Sequence, residues 1–288
     1  MRIRYCTMQS GALLMTSQAF AVCVWRAGAV ARISNSSLRR SPDEDILICG
    51  LCALADDVLL AACGSDGLRS LRLSSAQLCA RDPSALKDVY SAALDAASGT
   101  LLLAFVAEVA AASGARAAGV VWLVSLECVA DEWREVQRLQ TQCTFFYSCE
   151  WVGLSFADAS RVLCGKRGED RLYAFDVSAE RRLRPVGAVV LDDKLNRFAC
   201  TRLGGDSLVA ITDAGFTCVS VQRLVGAGDA LRLEPLARTA LAGAENVLFR
   251  GDQLLVATIS HSVVSFGVSS GGLIGPRELL GAGAVVGV

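Results

Sequence analysis

A short phrase recurs six times along this chain: one or two turn residues, then a compact apolar strand. It reads Ser10-Gly11 before Ala-Leu-Leu-Met-Thr, Asp56-Asp57 before Val-Leu-Leu-Ala-Ala, and Ser98-Gly99 before Thr-Leu-Leu-Leu-Ala. It continues as Ala159-Ser160 before Arg-Val-Leu-Cys-Gly, Gly205-Asp206 before Ser-Leu-Val-Ala-Ile, and Gly251-Asp252 before Gln-Leu-Leu-Val-Ala. The strands begin at positions 12, 58, 100, 161, 207 and 253, at intervals of 46, 42, 61, 46 and 46 residues. A unit of this size cannot bury its apolar face alone. It has to stack on copies of itself, which restricts the chain to a repeat architecture.

A second phrase follows each first one, with apolar residues at its first, fourth and sixth positions. The six sets are Ala19/Val22/Val24, Leu68/Leu71/Leu73, Val121/Val124/Leu126, Leu172/Phe175/Val177, Phe216/Val219/Val221 and Val263/Phe266/Val268. Local alternation of this kind marks a strand with two different faces. Polar turns such as Gly64-Ser65-Asp66-Gly67 and Asp213-Ala214-Gly215 join the two strands as hairpins. A weaker strand precedes the first phrase: 46–54, 89–94, 146–156, 198–203 or 247–249. A more polar one follows the second: 29–33, 133–139, 182–189, 231–237 or 273–280.

Four strands per unit, grading from apolar to polar, predict an all-β chain folded as a β-propeller of six four-stranded repeats of about 46 residues. The expected organisation is one propeller domain over 1–288. Its blades fall at 2–43, 46–85, 88–141, 146–190, 196–241 and 245–281, with 282–288 as an extra strand. Both a closed six-bladed ring and an incomplete seven-bladed one fit. The surplus strand favours the incomplete ring, because residues 1–8 already supply the first blade's opening strand. The only helical candidate, 108–118, contains Gly114 and repeats nowhere else, so it reads as a loop inserted in the third blade.

This unit resembles a WD40 repeat. The Gly64-Ser65-Asp66-Gly67 turn carries the resemblance, together with Leu172-Tyr173-Ala174-Phe175-Asp176-Val177, where that family has its Trp-Asp pair. Most repeats here lack both the Trp-Asp and the Gly-His pairs. The single His261 lies in a hairpin turn, so the family's structural His–Asp relay is missing and the resemblance is to the WD40-like superfamily. It implies a rigid disc whose loops hold a protein or peptide partner.

Composition narrows the function classes. Twenty-eight Lys and Arg against 29 Asp and Glu give a net charge of −1 without like-charged blocks, so no field draws nucleic acid or an anionic membrane. Twelve cysteines, mostly inside apolar runs, read as reduced core thiols. Cys49 and Cys52 form the one C-x-x-C, without the second pair of a zinc site. The uncharged run from Tyr5 to Trp25 contains Thr7, Gln9, Ser10, Thr16, Ser17 and Gln18, which interrupt a signal-peptide core. Glu108 and Arg116 break the apolar 100–126 region, so no membrane span is expected. A cytoplasmic protein follows, with a nuclear one as the second expectation and secretion disfavoured despite the Asn35-Ser36-Ser37 sequon.

No catalytic constellation stands out. His261 has serines on both sides but no Gly-x-Ser-x-Gly elbow exists. Gly165-Lys166-Arg167 lacks the rest of a phosphate loop, and Gly226-Ala227-Gly228 is half a dinucleotide fingerprint. Asp56-Asp57 and Asp192-Asp193 read as turn residues. No catalytic, metal or cofactor residue is assigned. The expected activity is non-catalytic partner binding through blade loops at Trp25, Asp66, Arg69, Lys166, Arg167, Glu169, Asp170 and Arg171, with 167–171 foremost. The alternative is an enzyme. One WD40-like family hydrolyses a methyl ester in diphthamide synthesis, and Ser148-Cys149-Glu150-Trp151 is loosely similar to a blade opening common in WD40 proteins.

Overall fold

In a computed structural model, the apolar phrases form the second and third strands of six antiparallel four-stranded sheets. The structure describes residues 3–9, 12–17, 21–26, 29–34, 48–55, 57–75, 77–78, 86–94, 101–109, 118–129, 132–146, 152–260, 262–269 and 272–280. Sheet 1 comprises Ile3–Gln9 (β1), Ala12–Ser17 (β2), Ala21–Arg26 (β3) and Ala29–Ser34 (β4). Sheet 2 comprises Gly50–Ala55 (β5), Val58–Ala62 (β6), Leu68–Arg72 (β7) and Gln77–Leu78 (β8). Sheet 3 comprises Val89–Leu94 (β9), Leu101–Val109 (β10), Ala118–Val129 (β11) and Glu132–Phe146 (β12).

Sheet 4 runs through Val152–Asp158 (β13), Arg161–Lys166 (β14), Arg171–Val177 (β15) and Leu183–Val190 (β16). Sheet 5 runs through Leu195–Leu203 (β17), Asp206–Asp213 (β18), Cys218–Val225 (β19) and Arg232–Ala240 (β20), with a 3-10 turn at Gly228–Ala230. Sheet 6 runs through Ala244–Arg250 (β21), Gln253–Thr258 (β22), Val263–Ser269 (β23) and Gly272–Leu280 (β24). Each sheet is a meander whose strands are ordered in space as in sequence.

Period-2 side-chain placement explains why the middle strands read as apolar on both faces. In β11, Leu123 packs towards sheet 4 with Val162, Cys164 and Phe175, while its neighbour Val124 packs towards sheet 2 with Leu60 and Val89. In β18, Val209 and Ile211 turn towards sheet 4, and Leu208 and Ala210 towards sheet 6. The core is therefore a set of layers between successive sheets rather than one central mass.

The opening strands lie side by side in a circuit: β1 beside β5, then β9, β13, β17 and β21, with β21 again beside β1. Six sheets thus complete the round. The surplus-strand reading, which favoured a ring short of one blade, gives way to a circuit in which β1 meets β21 directly. Residues 282–288 lie outside the described residues. Two boundaries also move. Phe146 ends β12 of sheet 3 rather than opening sheet 4, because β12 stays paired with β11, through two register shifts, as far as Ala118 opposite Phe146. Glu108 and Val109 belong to β10 and Ala118 to β11, so the insertion read over 108–118 is in part a lengthened hairpin; residues 110–117 lie outside the described residues.

Candidate interaction face

Because every sheet is a meander starting at the same end, its hairpin turns sort to two faces. One face carries the turns between second and third strands and the connections into the next sheet. The other carries the remaining turns. On the first face, three of the second-to-third turns are tied by backbone bonds to the start of the following sheet. Gly64 and Val89 exchange N–H···O bonds of 2.8 and 2.9 Å. Gly168 donates to Leu195 and Leu195 donates to Glu169, both at 2.7 Å. Gly243 donates to Phe216 at 2.7 Å. Left-handed backbone at Gly64 (φ 57°) and Gly168 (φ 85°) permits two of these turns. Neighbouring blades are thus stitched at the rim of this face by main chain.

Asp213 organises one such turn. Its carboxylate accepts from the N–H groups of Gly215 (3.1 Å), Thr217 (2.9 Å) and Cys218 (2.7 Å), and from the Thr217 hydroxyl (2.9 Å). Partial burial pushes its pKa up, but the donors from Cys218 and Thr217 outweigh it and hold the carboxyl below the ordinary Asp range. In the next sheet Thr258 plays a similar part, its hydroxyl lying 2.8 Å from those of Ser260 and Ser262.

Seven of the eight residues singled out in the sequence come to this face. Asp66 lies in the β6–β7 turn, 3.8 Å from the Arg69 guanidinium. Arg167 stacks across the blade boundary, its guanidinium carbon 5.1 Å from the centre of the Phe216 ring. Asp170 and Arg171 are exposed and 3.7 Å apart, and Glu169 is half-buried. Arg69 and Lys166, read as turn residues, are instead buried, at 3% and 6% exposure. Lys166 ends β14 where Thr212 and Thr258 stand in the next two sheets. Trp25 ends up apart from the rest, near the end of β3 that leads to the opposite face.

Sequence reasoning missed three groups here. Asn196 donates to the Glu245 carbonyl at 2.7 Å across sheets 5 and 6, and Arg197 and Glu245 are buried at the starts of β17 and β21. Only a bulge distinguishes these positions, seen as register shifts between Leu195 and Arg197 and between Ala244 and Asn246. A single sequence has no strong signal for that.

A channel of about 300 Å³ runs between the opening strands, lined by residues that include Leu51, Cys52, Ala93, Ser155, Cys200 and Asn246. Ser155 accepts the Cys200 N–H at 2.9 Å. Burial pushes the Cys52 thiol up to about 11 and the Cys200 thiol up to about 12, so neither is a nucleophile at neutral pH. The seven cysteines whose side chains are described carry their thiols outside any disulfide, Cys49 and Cys52 among them. Among the described residues no group of three or more His, Cys, Asp or Glu could hold a metal ion.

No family model matches the chain, and no curated protein matches it in sequence. Solved structures do. The β-propeller domain of Cps50 (Swd1) from Myceliophteria thermophila aligns over 96% of this chain and 86% of its own, with a TM-score of 0.58 at 12% identity. A chain of the mitotic checkpoint complex aligns over 96% and 76%, also with a TM-score of 0.58 and 12% identity. The fold is that of a WD40-like β-propeller. The backbone bonds at Gly64, Gly168 and Gly243 connect neighbouring blades of this propeller, and His261, read as a hairpin-turn residue, lies outside the described residues. Among the described residues, no helix is long and apolar enough to cross a membrane.

Proposed function

We propose that this propeller is a non-catalytic scaffold that holds a protein or peptide partner on the face bearing its second-to-third strand turns. One observation carries the reading. Arg167, Asp170 and Arg171 stand on a turn whose backbone is pinned to the next blade at 2.7 Å, so charged side chains project from a support that needs little ordering on binding. The Arg167–Phe216 stack extends that patch across two blades. A mixed-charge, aromatic-bearing surface suits a partner segment with charges of both signs, consistent with the near-neutral chain. Nucleic acid and membrane surfaces are not the expected partners, and the expected compartment is the cytoplasm.

Photo-crosslinking tests this. A benzophenone residue placed at Asp170 or Arg171 should trap a discrete partner in cells, whereas one at Ala159, on the opposite face, should not. The triple variant R167A/D170A/R171A should lose the partner while still unfolding cooperatively, with only the small drop in melting temperature that loss of the Arg167–Phe216 stack brings. Equal trapping from both faces, or a partner indifferent to the triple substitution, would contradict the assignment.

A further inference from the structure

The outer strands of the last three sheets share a device against edge pairing. Pro185 in β16, Pro235 in β20 and Pro276 in β24 each remove an edge N–H, and in every case the register shifts near the proline. Of the remaining outer strands, β8 is two residues long and β4 six. Strand β12 differs. It runs for 15 residues without a proline, and Arg134, Glu135, Arg138 and Gln140 along it are exposed.

Its pairing with β11 shifts twice, once between Gln140 and Thr144 and once at an extra residue, Val136: Glu135 stands opposite Leu126, and Gln137 opposite Ser125. The bulge puts Glu135 and Arg138 on the same face, although they are three apart. Both stand opposite residues that pack towards sheet 2, and they pair at 3.1 and 3.2 Å. Arg134 and Leu139 take the other face. Arg134 is opposite Glu127, which pairs with Arg181 of sheet 4, and Leu139 packs into the layer shared with sheet 4.

We propose that the β12 edge binds a second copy of this chain, antiparallel across a twofold axis at Gln137. With Val136 as the extra residue, Gln137 stands opposite the partner's Gln137, Glu135 opposite the partner's Arg138, and Arg138 opposite the partner's Glu135. Arg134 then meets the partner's Leu139, and Trp133 the partner's Gln140. Each pair falls on one face of the joined sheet, which a twofold perpendicular to the sheet requires. Four charges alternate around the axis, so each Glu135 meets the partner's Arg138 and each Arg138 the partner's Glu135 besides the contacts made within its own chain. Isologous pairing is the commonest symmetric solution, and here the edge is complementary to itself. It lies on the rim, outside the turn face, and does not depend on the partner-binding reading.

Charge reversal tests the register. By size-exclusion chromatography with light scattering, the wild-type chain should have twice the mass of one chain. E135R and R138E should each be monomeric, because one substitution sets like charges opposite each other twice. The double variant E135R/R138E should be dimeric again. Independently, Q137C should form a disulfide-linked dimer under mild oxidation, mapped by mass spectrometry to position 137 in both copies, while D252C on a distant turn should not. A monomeric wild type, a dimer unaffected by the single reversals or unrestored by the double one, or equal cross-linking at D252C would overturn the proposal.

Discussion

Four donors converge on the Asp213 carboxylate, and three of them are main-chain N–H groups that the turn leaves without strand partners. Removing this acceptor in D213A should cost about 1–2 kcal/mol, since the site is partly open to water. The folded pKa lies below the unfolded one, so the stabilisation is complete above about pH 4 and is lost as pH falls through the folded value. Urea unfolding should therefore show a wild-type advantage over D213A at neutral pH that shrinks below about pH 4. An advantage that grew on acidification would contradict the assignment. The channel thiols make the opposite case. With pKa values of about 11 and 12, Cys52 and Cys200 should resist iodoacetamide at pH 8 in the native chain and react fully in urea, read by mass spectrometry of the peptides. At this scale the sequence was only partly legible. Asp213 announced itself as a turn residue because Asp accepts from the backbone just beyond it. Lys166 and Arg69 looked like solvated turn charges. Their burial depends on how the next blade covers the strand end, which local sequence does not encode.

Among the strands, the sharpest constraint is a missing side chain. A Cβ on Gly165 would lie 2.5 Å from one methyl of Leu172 and 2.8 Å from one of Leu195, in the layer between sheets 4 and 5. G165A should thus destabilise the chain by about 1–3 kcal/mol through overpacking. L195A, which empties part of the same layer, should cost about 2–5 kcal/mol. Chemical denaturation of both variants checks this; a neutral G165A would mean that the layer is looser than its distances imply. The second and third strands were readable from sequence because they are buried between two sheets and must be apolar at consecutive positions. The strand that Phe146 was expected to open was misplaced for the reciprocal reason. An apolar residue at the end of a long outer strand looks like one beginning an inner strand, and only the β11 register separates the two. Strand β8, two residues long, left no pattern to read.

For the molecule as a whole, the repeat period identified the architecture, since units spaced near 46 residues have few other ways to cover both faces of a sheet. Closure was not legible. Whether six or seven units complete a round depends on the small angle between successive sheets, which side-chain volumes in all the layers set together. In the structure β1 meets β21, and the opening strands form an unbroken circuit. The most direct test is a pair of distances measured by double electron–electron resonance. Spin labels would be attached through a non-canonical azido residue, because native thiols would compete. The sites Gln9, Arg202 and Arg250 lie at or near the ends of β1, β17 and β21. A closed circuit of six sheets predicts that the 250-to-9 distance matches the 202-to-250 distance between ordinary neighbours. A 250-to-9 distance longer by about 10 Å or more, the spacing of one further sheet, would contradict it.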